Sequence, residues 1–215
     1  MMYVYYMMLY VYMGLCFVPV IALFSIFCIF VPGFKIRHGL ISTLLGLFAL
    51  LPITVVQYFI LNLPIFSGNT LLSVLVTALI FNGLIEESTK MTCMLFLPKK
   101  NISFQTFFAM SILAGLSLGA FETLIYLFSG FHNVGIRTIT ALLVHTFCAG
   151  LSGIFLWTLR NKPTNTYIFV VAVVLHGIYN FFAGFSGGFK WFSVIAIFLA
   201  AIECRIWYVK IAHPE

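Results

Sequence analysis

Apolar residues follow one another in long runs along this chain, and short segments containing Pro, Gly, Lys or Arg separate the runs. A helix that crosses the hydrocarbon core of a bilayer needs about 20 mostly apolar residues. Seven runs reach this length, at approximately 8–31, 39–62, 72–97, 104–129, 138–159, 167–185 and 191–211. The pattern predicts an all-α, polytopic membrane helix bundle, with residues 1–215 forming a single integral membrane domain.

Composition supports the bilayer as the surroundings of the chain. Hydrophobic residues make up 63% of the 215 residues and charged residues only 7%, whereas a soluble domain is about half apolar and a quarter charged. A water-soluble fold is therefore excluded. The net charge of +6 comes from Lys and Arg scattered at the ends of apolar runs. This distribution does not indicate a nucleic-acid partner.

The basic residues also predict an orientation. Loops after the odd-numbered spans, together with the end of the seventh span, carry eight Lys and Arg residues, whereas the opposite side carries Arg137 and Lys190. Short cytoplasmic loops are enriched in Lys and Arg. We therefore expect the N-terminus outside and the C-terminus in the cytoplasm.

Four charged residues fall inside the predicted spans: Glu86, Glu87 and Lys90 on the third and Glu122 on the fourth. Each charge at the centre of a bilayer costs about 2.5–3.5 kcal/mol on insertion scales. Such residues must be paired, protonated or functional. Intramembrane ionisable groups are therefore the first candidates for a functional site.

The remaining acidic and histidine side chains lie towards the predicted membrane surfaces. Glu203 is near the cytoplasmic end of the seventh span and Glu215 is the last residue. His38, His132 and His213 fall in predicted loops or the tail, and we expect them to be solvated.

Polar and small residues recur at helical spacing on the third to sixth spans. Asn82, Glu86 and Lys90 are four residues apart, and Lys90 also follows Glu87 at i, i+3, so that it can pair with either glutamate. The next three spans carry stripes of Ser111, Gly115, Gly119, Glu122 and Tyr126; of Thr138, Ala141, His145, Ala149 and Ser152; and of Ala172, His176, Asn180 and Gly184. Small residues let membrane helices approach closely. We expect the four faces to meet in a polar pocket, within a core at residues 72–185.

These side chains are suited to acid–base hydrolysis. One glutamate could stay ionised as a general base for water while another acts as an acid, and Tyr126 could support them. The amide of Asn180 is a suitable donor to an oxyanion. Lys90 is expected to be a counter-charge for the glutamate pair. This chemistry requires no cofactor, but Glu and His are also zinc ligands, so a metal-dependent version stays open.

The same residues carry a family resemblance. Glu86-Glu87-Ser-Thr-Lys90 resembles the E-E-x-x-K motif of the PrsW family of glutamic-type intramembrane proteases. Glu122 with Tyr126 looks like its second motif, with Leu118 in place of a usual Phe and Thr123 in place of a usual Asn. His145 fits the third motif. His176-Gly-Ile-Tyr-Asn180 fits the fourth, an H-x-x-x-N also found in the related CAAX-protease and bacteriocin-processing superfamily.

The resemblance implies a protease of the bacterial cytoplasmic membrane that cuts single-pass membrane proteins near the outer side. First-site cleavage of an anti-sigma factor is the family role it suggests. By analogy, Glu86 or Glu87 would activate water with help from Glu122 and His145. His176 and Asn180 would form the oxyanion hole. Which of the adjacent glutamates is the base stays open.

Two other functions fit part of the pattern. Gly150-Leu-Ser152-Gly153 matches the G-x-S-G of rhomboid serine proteases, with His176 on the next span as a partner for Ser152. Intramembrane Glu and His residues also serve proton-coupled transporters, although no inverted repeat is evident. Aspartyl intramembrane proteases are excluded because the chain has no Asp, and site-two metalloproteases because it has no H-E-x-x-H.

Overall fold

The computed structural model describes residues 2–61, 63, 70–98, 100–128, 134–161 and 164–213, and it contains helices but no β-strand in these ranges. The helices are α1 (Met2–Phe30), α2 (Ile36–Leu61), α3 (Leu71–Thr77), a π-helical segment (Ala78–Ile85), α4 (Glu86–Met94), α5 (Phe104–Phe128), α6 (Val134–Asn161), α7 (Thr166–Ala183), a short 3₁₀ helix (Gly187–Trp191) and α8 (Phe192–Ala212). The α3 helix, the π-helical segment and α4 form one continuous helix, Leu71–Met94.

Seven helices of the described ranges are long and apolar enough to cross a membrane, and they coincide with the predicted runs to within a few residues. The predicted all-α membrane bundle is confirmed, and the chain is an integral membrane protein. Lys99 and Lys162, and the side chains of Arg137 and Thr138, lie outside the described part of the chain.

The centre of the bundle is the pair α5 and α6, which bury most of their length, whereas α1 and α2 expose most of theirs. The α7 helix packs on α6 and on the π-helical segment, and α8 closes the far side against α6 and α7. The α1 and α2 helices pack on α5, and α2 also contacts α4. The α5 and α6 helices are therefore enclosed by the others, whereas α7 and the helix Leu71–Met94 turn only their polar faces inward.

Small residues bring α5 and α6 together. Gly115 lies against Ala149 and the backbone carbonyl of His145, so that no side chain fits at this position. A Cβ atom at Gly119 would lie 3.1 Å from Cδ2 of His145. The stripe predicted on the fourth span therefore faces the histidine of the fifth.

The π-helical segment packs just as closely against α7. Gly83 lies against the backbone carbonyl of Val173, and Gly177 lies against the backbone of Leu79. The sequence did not predict this segment. A π-helix bonds from i to i+5 and is frequent at functional sites. Its wider turn changes the direction in which Glu86 and Glu87, the next two residues, point.

The prediction that His38 is solvated is wrong. The ring is 2% exposed, and its Nδ1 accepts a hydrogen bond from the backbone N–H of Lys35 at 3.1 Å. This contact closes the first turn of α2 in the manner of a capping box. His213 is exposed as predicted, and His132 lies outside the described residues.

Candidate active site

The structure brings Glu86, Glu87, Glu122, His145 and His176 together from four different helices. Glu86 and Glu87 form the first turn of α4, directly after the π-helical segment. Glu86, Glu87, His145 and His176 are all buried, whereas the side chain of Glu122 is 24% exposed. The predicted convergence of the four polar faces therefore occurs, and it is centred on α4.

Glu87 lies in a closed set of hydrogen bonds, which we call the Glu87 cage, formed with Lys90, Ser152 and His176. Its Oε1 atom accepts from Lys90 Nζ at 2.6 Å and lies 2.7 Å from His176 Nδ1. Its Oε2 atom accepts from Ser152 Oγ at 2.9 Å. The sequence allowed Lys90 to pair with either glutamate, and the structure pairs it with Glu87 at i, i+3. The Glu87 carboxylate therefore joins α4, α6 and α7, and its side chain has no exposed surface.

Glu86 has different surroundings. Its Oε1 atom accepts a hydrogen bond from Gln57 Nε2 at 2.8 Å, and its Oε2 atom lies 3.6 Å from His176 Nε2. Gln57 belongs to α2, outside the predicted core, and the sequence analysis missed it. The available signal was an amide within a mostly apolar run, whereas the run's other amide, Asn62, is its last residue.

The two histidines each pair with a carboxylate. His145 Nε2 lies 2.5 Å from Glu122 Oε2, and His176 Nδ1 pairs with Glu87. Their rings are close to perpendicular, with centroids 4.8 Å apart. An ionised carboxylate only accepts hydrogen bonds, so beside ionised Glu122 and Glu87 each neutral ring would donate through the paired nitrogen and keep a lone pair on the other.

The second ring nitrogen of each histidine has unusual surroundings for a buried polar atom. His145 Nδ1 and His176 Nε2 are buried and have no hydrogen-bond partner in the described part of the chain. A buried polar atom left unpaired costs about 1–3 kcal/mol. Glu86, His145 and His176 each offer one ligand atom, and these three atoms lie within 4.8 Å of one another.

This set of donors fits a zinc ion. Catalytic zinc sites use three protein ligands drawn from His nitrogen, carboxylate oxygen and Cys sulfur, and leave a further position open. Ligating histidines almost always donate their other ring N–H to an outer partner such as a carboxylate. Glu122 and Glu87 are such partners for His145 and His176. Glu86, His145 and His176 are therefore the residues that could hold a metal.

The other predicted site residues lie at the edge of this cluster. Asn180 is half-buried, and its Nδ2 atom donates to the backbone carbonyl of His176 at 3.3 Å, one turn back on its own helix. Tyr126 is half-buried on α5. Thr140 and Tyr179, which the sequence analysis did not single out, join α6 to α7 through a hydrogen bond of 2.9 Å.

Ser152 does not have the surroundings of a serine nucleophile. Its side chain is fully buried, and its hydroxyl donates to Glu87. A nucleophilic serine is activated by an adjacent base that takes its proton. Here the neighbouring His176 is paired with the same Glu87 carboxylate. The contacts therefore favour a role for Ser152 in holding Glu87 over the rhomboid-type pair.

Comparison with known proteins agrees with the resemblance seen in the motifs. A family model described as PrsW family intramembrane metalloprotease matches residues 35–202, well over half of the chain. No curated protein and no solved structure matches the chain. The match begins before α2 and ends within α8, so it is wider than the predicted core, and the relation to the CAAX-protease superfamily stays a prediction. The chain belongs to the PrsW family of intramembrane proteases.

Proposed function

We propose that this protein is a metal-dependent intramembrane endopeptidase in which Glu86, His145 and His176 hold a zinc ion. The observation that carries the proposal is the pair of buried imidazole nitrogens, one on each histidine, without a hydrogen-bond partner among the described residues. The description of the family as metalloproteases supports it. The metal-free glutamic mechanism predicted from the sequence is the alternative outcome of the test.

A zinc ion held there would supply Lewis-acid polarisation of a peptide carbonyl and activation of water. The protein's own contribution is orientation. Glu87 and Glu122 each accept from one imidazole, which fixes the ring and the nitrogen that carries the lone pair. Lys90 and Ser152 in turn hold Glu87.

Glu122 is the carboxylate best suited to move protons. Its side chain is 24% exposed, compared with 7% for Glu86 and 0% for Glu87. A general base must reach the proton of the attacking water and return a proton to the leaving amine. In this proposal Glu122 takes that role, which the sequence analysis gave to Glu86 or Glu87. Asn180 would have to leave the His176 carbonyl before it could donate to an oxyanion.

The depth of the site supports cleavage near the outer side. With the N-terminus outside, α5 and α7 both end at the outer surface. Glu122 is six residues before the end of α5 at Phe128, and His176 is seven before the end of α7 at Ala183. At about 1.5 Å per residue both lie roughly 10 Å from those ends. The depth thus supports cleavage near the outer side. From the family resemblance we also propose single-pass proteins of a bacterial cytoplasmic membrane, such as anti-sigma factors, as substrates, and residues 1–215 as one catalytic domain.

The test is cleavage of a single-pass reporter by the purified full chain in liposomes, combined with elemental analysis. We expect stoichiometric zinc, loss of cleavage on chelation and recovery when zinc is returned. His176→Ala should lose both zinc and cleavage, whereas His213→Ala, which alters an exposed histidine, should lose neither.

Three other outcomes would each change the conclusion. Full cleavage by metal-free protein would establish the glutamic mechanism instead. Cleavage that persists in His176→Ala would remove this site altogether. Proton-coupled solute uptake without proteolysis would identify a transporter.

A further inference from the structure

Gln57 is a polar side chain among exposed apolar residues of α2. Its neighbours Val55, Tyr58 and Phe59 are all exposed on the surface of the bundle. Gln57 itself is half-buried, and its Nε2 atom donates to Glu86 Oε1 at 2.8 Å. An amide in apolar surroundings is costly unless it is hydrogen-bonded. The energetic reason for Gln57 at this position is therefore its contact with Glu86.

The contact distinguishes the two oxygens of Glu86. Oε1 is occupied by the Gln57 amide, and Oε2 is the oxygen that lies 3.6 Å from His176 Nε2, one of the two nitrogens without a partner. A hydrogen bond to one oxygen restricts rotation of the carboxylate. Gln57 thus holds the plane of the carboxylate so that the other oxygen faces the imidazole cluster.

We propose that Gln57 is a positioning residue that presents Glu86 Oε2 to the metal, an inference that rests on the proposed function. Ligating carboxylates, like ligating histidines, are held by outer hydrogen bonds that tune affinity. Glu122 and Glu87 provide such bonds for the two histidines, and Gln57 completes the set for the third ligand. The site then depends on α2 as well as on α4 to α7.

The experiment compares Gln57→Met with the wild-type protein. Methionine has about the length of glutamine and is likewise unbranched at Cβ and Cγ, but it cannot donate a hydrogen bond. Zinc affinity is measured by competition with a chromophoric chelator, and kcat and KM with the single-pass reporter. We expect zinc affinity about 10-fold weaker, with kcat reduced at subsaturating zinc and KM unchanged.

The matched control is Thr54→Val. Thr54 lies one turn before Gln57 on the same helix, and its hydroxyl donates to its own backbone at Leu50, 2.9 Å away. The Thr54→Val variant should leave zinc affinity unchanged. If Gln57→Met does not fold, Gln57→Asn, whose amide is one methylene too short to reach, should show the same weakening.

The outcomes distinguish the role of Gln57 from the proposed zinc-dependent function on which it rests. Wild-type protein that binds zinc and cleaves, beside a folded Gln57 variant of equal zinc affinity, overturns the role of Gln57 alone. Wild-type protein that neither binds zinc nor cleaves overturns the proposed function and the role of Gln57 with it.

Discussion

Glu86 and Glu87 are neighbours on α4, yet they lie in opposite kinds of surroundings. Residues adjacent on a helix point about 100° apart. Glu87 points into the Glu87 cage, where Lys90, His176 and Ser152 all contact its carboxylate. Glu86 contacts a single amide, from Gln57, and faces an imidazole nitrogen that has no partner in the described ranges. The comparison indicates that one carboxylate maintains the structure and the other is available for chemistry.

The largest effect is expected for Glu86→Gln. The amide keeps the shape of the side chain but removes the charge that a zinc ligand needs. Loss of an outer partner costs about 10–100-fold, so loss of a ligand should lower cleavage by more than about 100-fold and abolish zinc binding. Cleavage of the single-pass reporter and elemental analysis measure the two effects.

Stability provides the control for this variant. Glu86 is not a member of the Glu87 cage, so the thermal midpoint of Glu86→Gln in detergent should stay near that of the zinc-free wild-type protein, since bound zinc itself stabilises the folded state. A variant that retains zinc and full activity would contradict the assignment of Glu86 as a ligand.

Glu87→Gln should show the reverse balance. The Lys90 side chain is almost fully buried beside Glu87, and removing one partner of a buried ion pair costs about 3–5 kcal/mol. The free energy of unfolding should fall by this amount, while cleavage falls by about 10–100-fold through the loosened His176. Denaturation in mixed detergent micelles gives the first quantity and kcat/KM the second.

The double variant Glu87→Gln with Lys90→Met sharpens the distinction. Removing both charges should recover much of the stability, because no uncompensated charge stays buried. Activity should not recover, since His176 still lacks its carboxylate. Recovery of both together would mean that Glu87 acts only through the fold.

The sequence predicted the fold well because the length and hydropathy of each apolar run determine where the chain can span a membrane. The stripes of small residues also predicted which faces meet, as Gly115 and Gly119 against His145 illustrate. Helical spacing predicted that Lys90 pairs with a neighbouring glutamate, although it did not distinguish Glu87 from Glu86. Each of these predictions depended on a property of a single helix or on small residues that let two helices approach closely. Both can be recognised in the sequence pattern.

The parts that were not predicted depend on tertiary geometry. The π-helical segment Ala78–Ile85 contains the weak helix formers Asn82 and Gly83, but it has no Pro and no pattern that specifies a π-turn. The different roles of Glu86 and Glu87 follow from what α2, α6 and α7 place opposite each oxygen. Gln57 belonged to none of the predicted stripes, so only the assembled bundle reveals its contact with Glu86. His38 was misjudged because its ring folds back on the first turn of α2.

The smallest effect is expected for Ser152→Ala, which removes one of the three donors in the Glu87 cage and leaves Lys90 and His176 in place. A hydrogen bond to a charged group contributes about 1.5–3 kcal/mol. Stability should fall by that amount, while most of the cleavage activity persists, because Glu87 still accepts from His176.

Ser117→Ala is the matched control, since its buried hydroxyl donates only to the carbonyl of Leu113 on its own helix, at 2.7 Å. Comparing kcat/KM of the two variants isolates the contact with Glu87. If Ser152 were a nucleophile, its alanine variant would lose cleavage entirely while keeping its zinc. If Ser152 instead supports the Glu87 cage, its alanine variant should lose only part of the cleavage activity. That loss should be larger than the loss in Ser117→Ala and should be accompanied by lower stability. The residual activity of Ser152→Ala therefore decides whether Ser152 supports the Glu87 carboxylate or reacts itself.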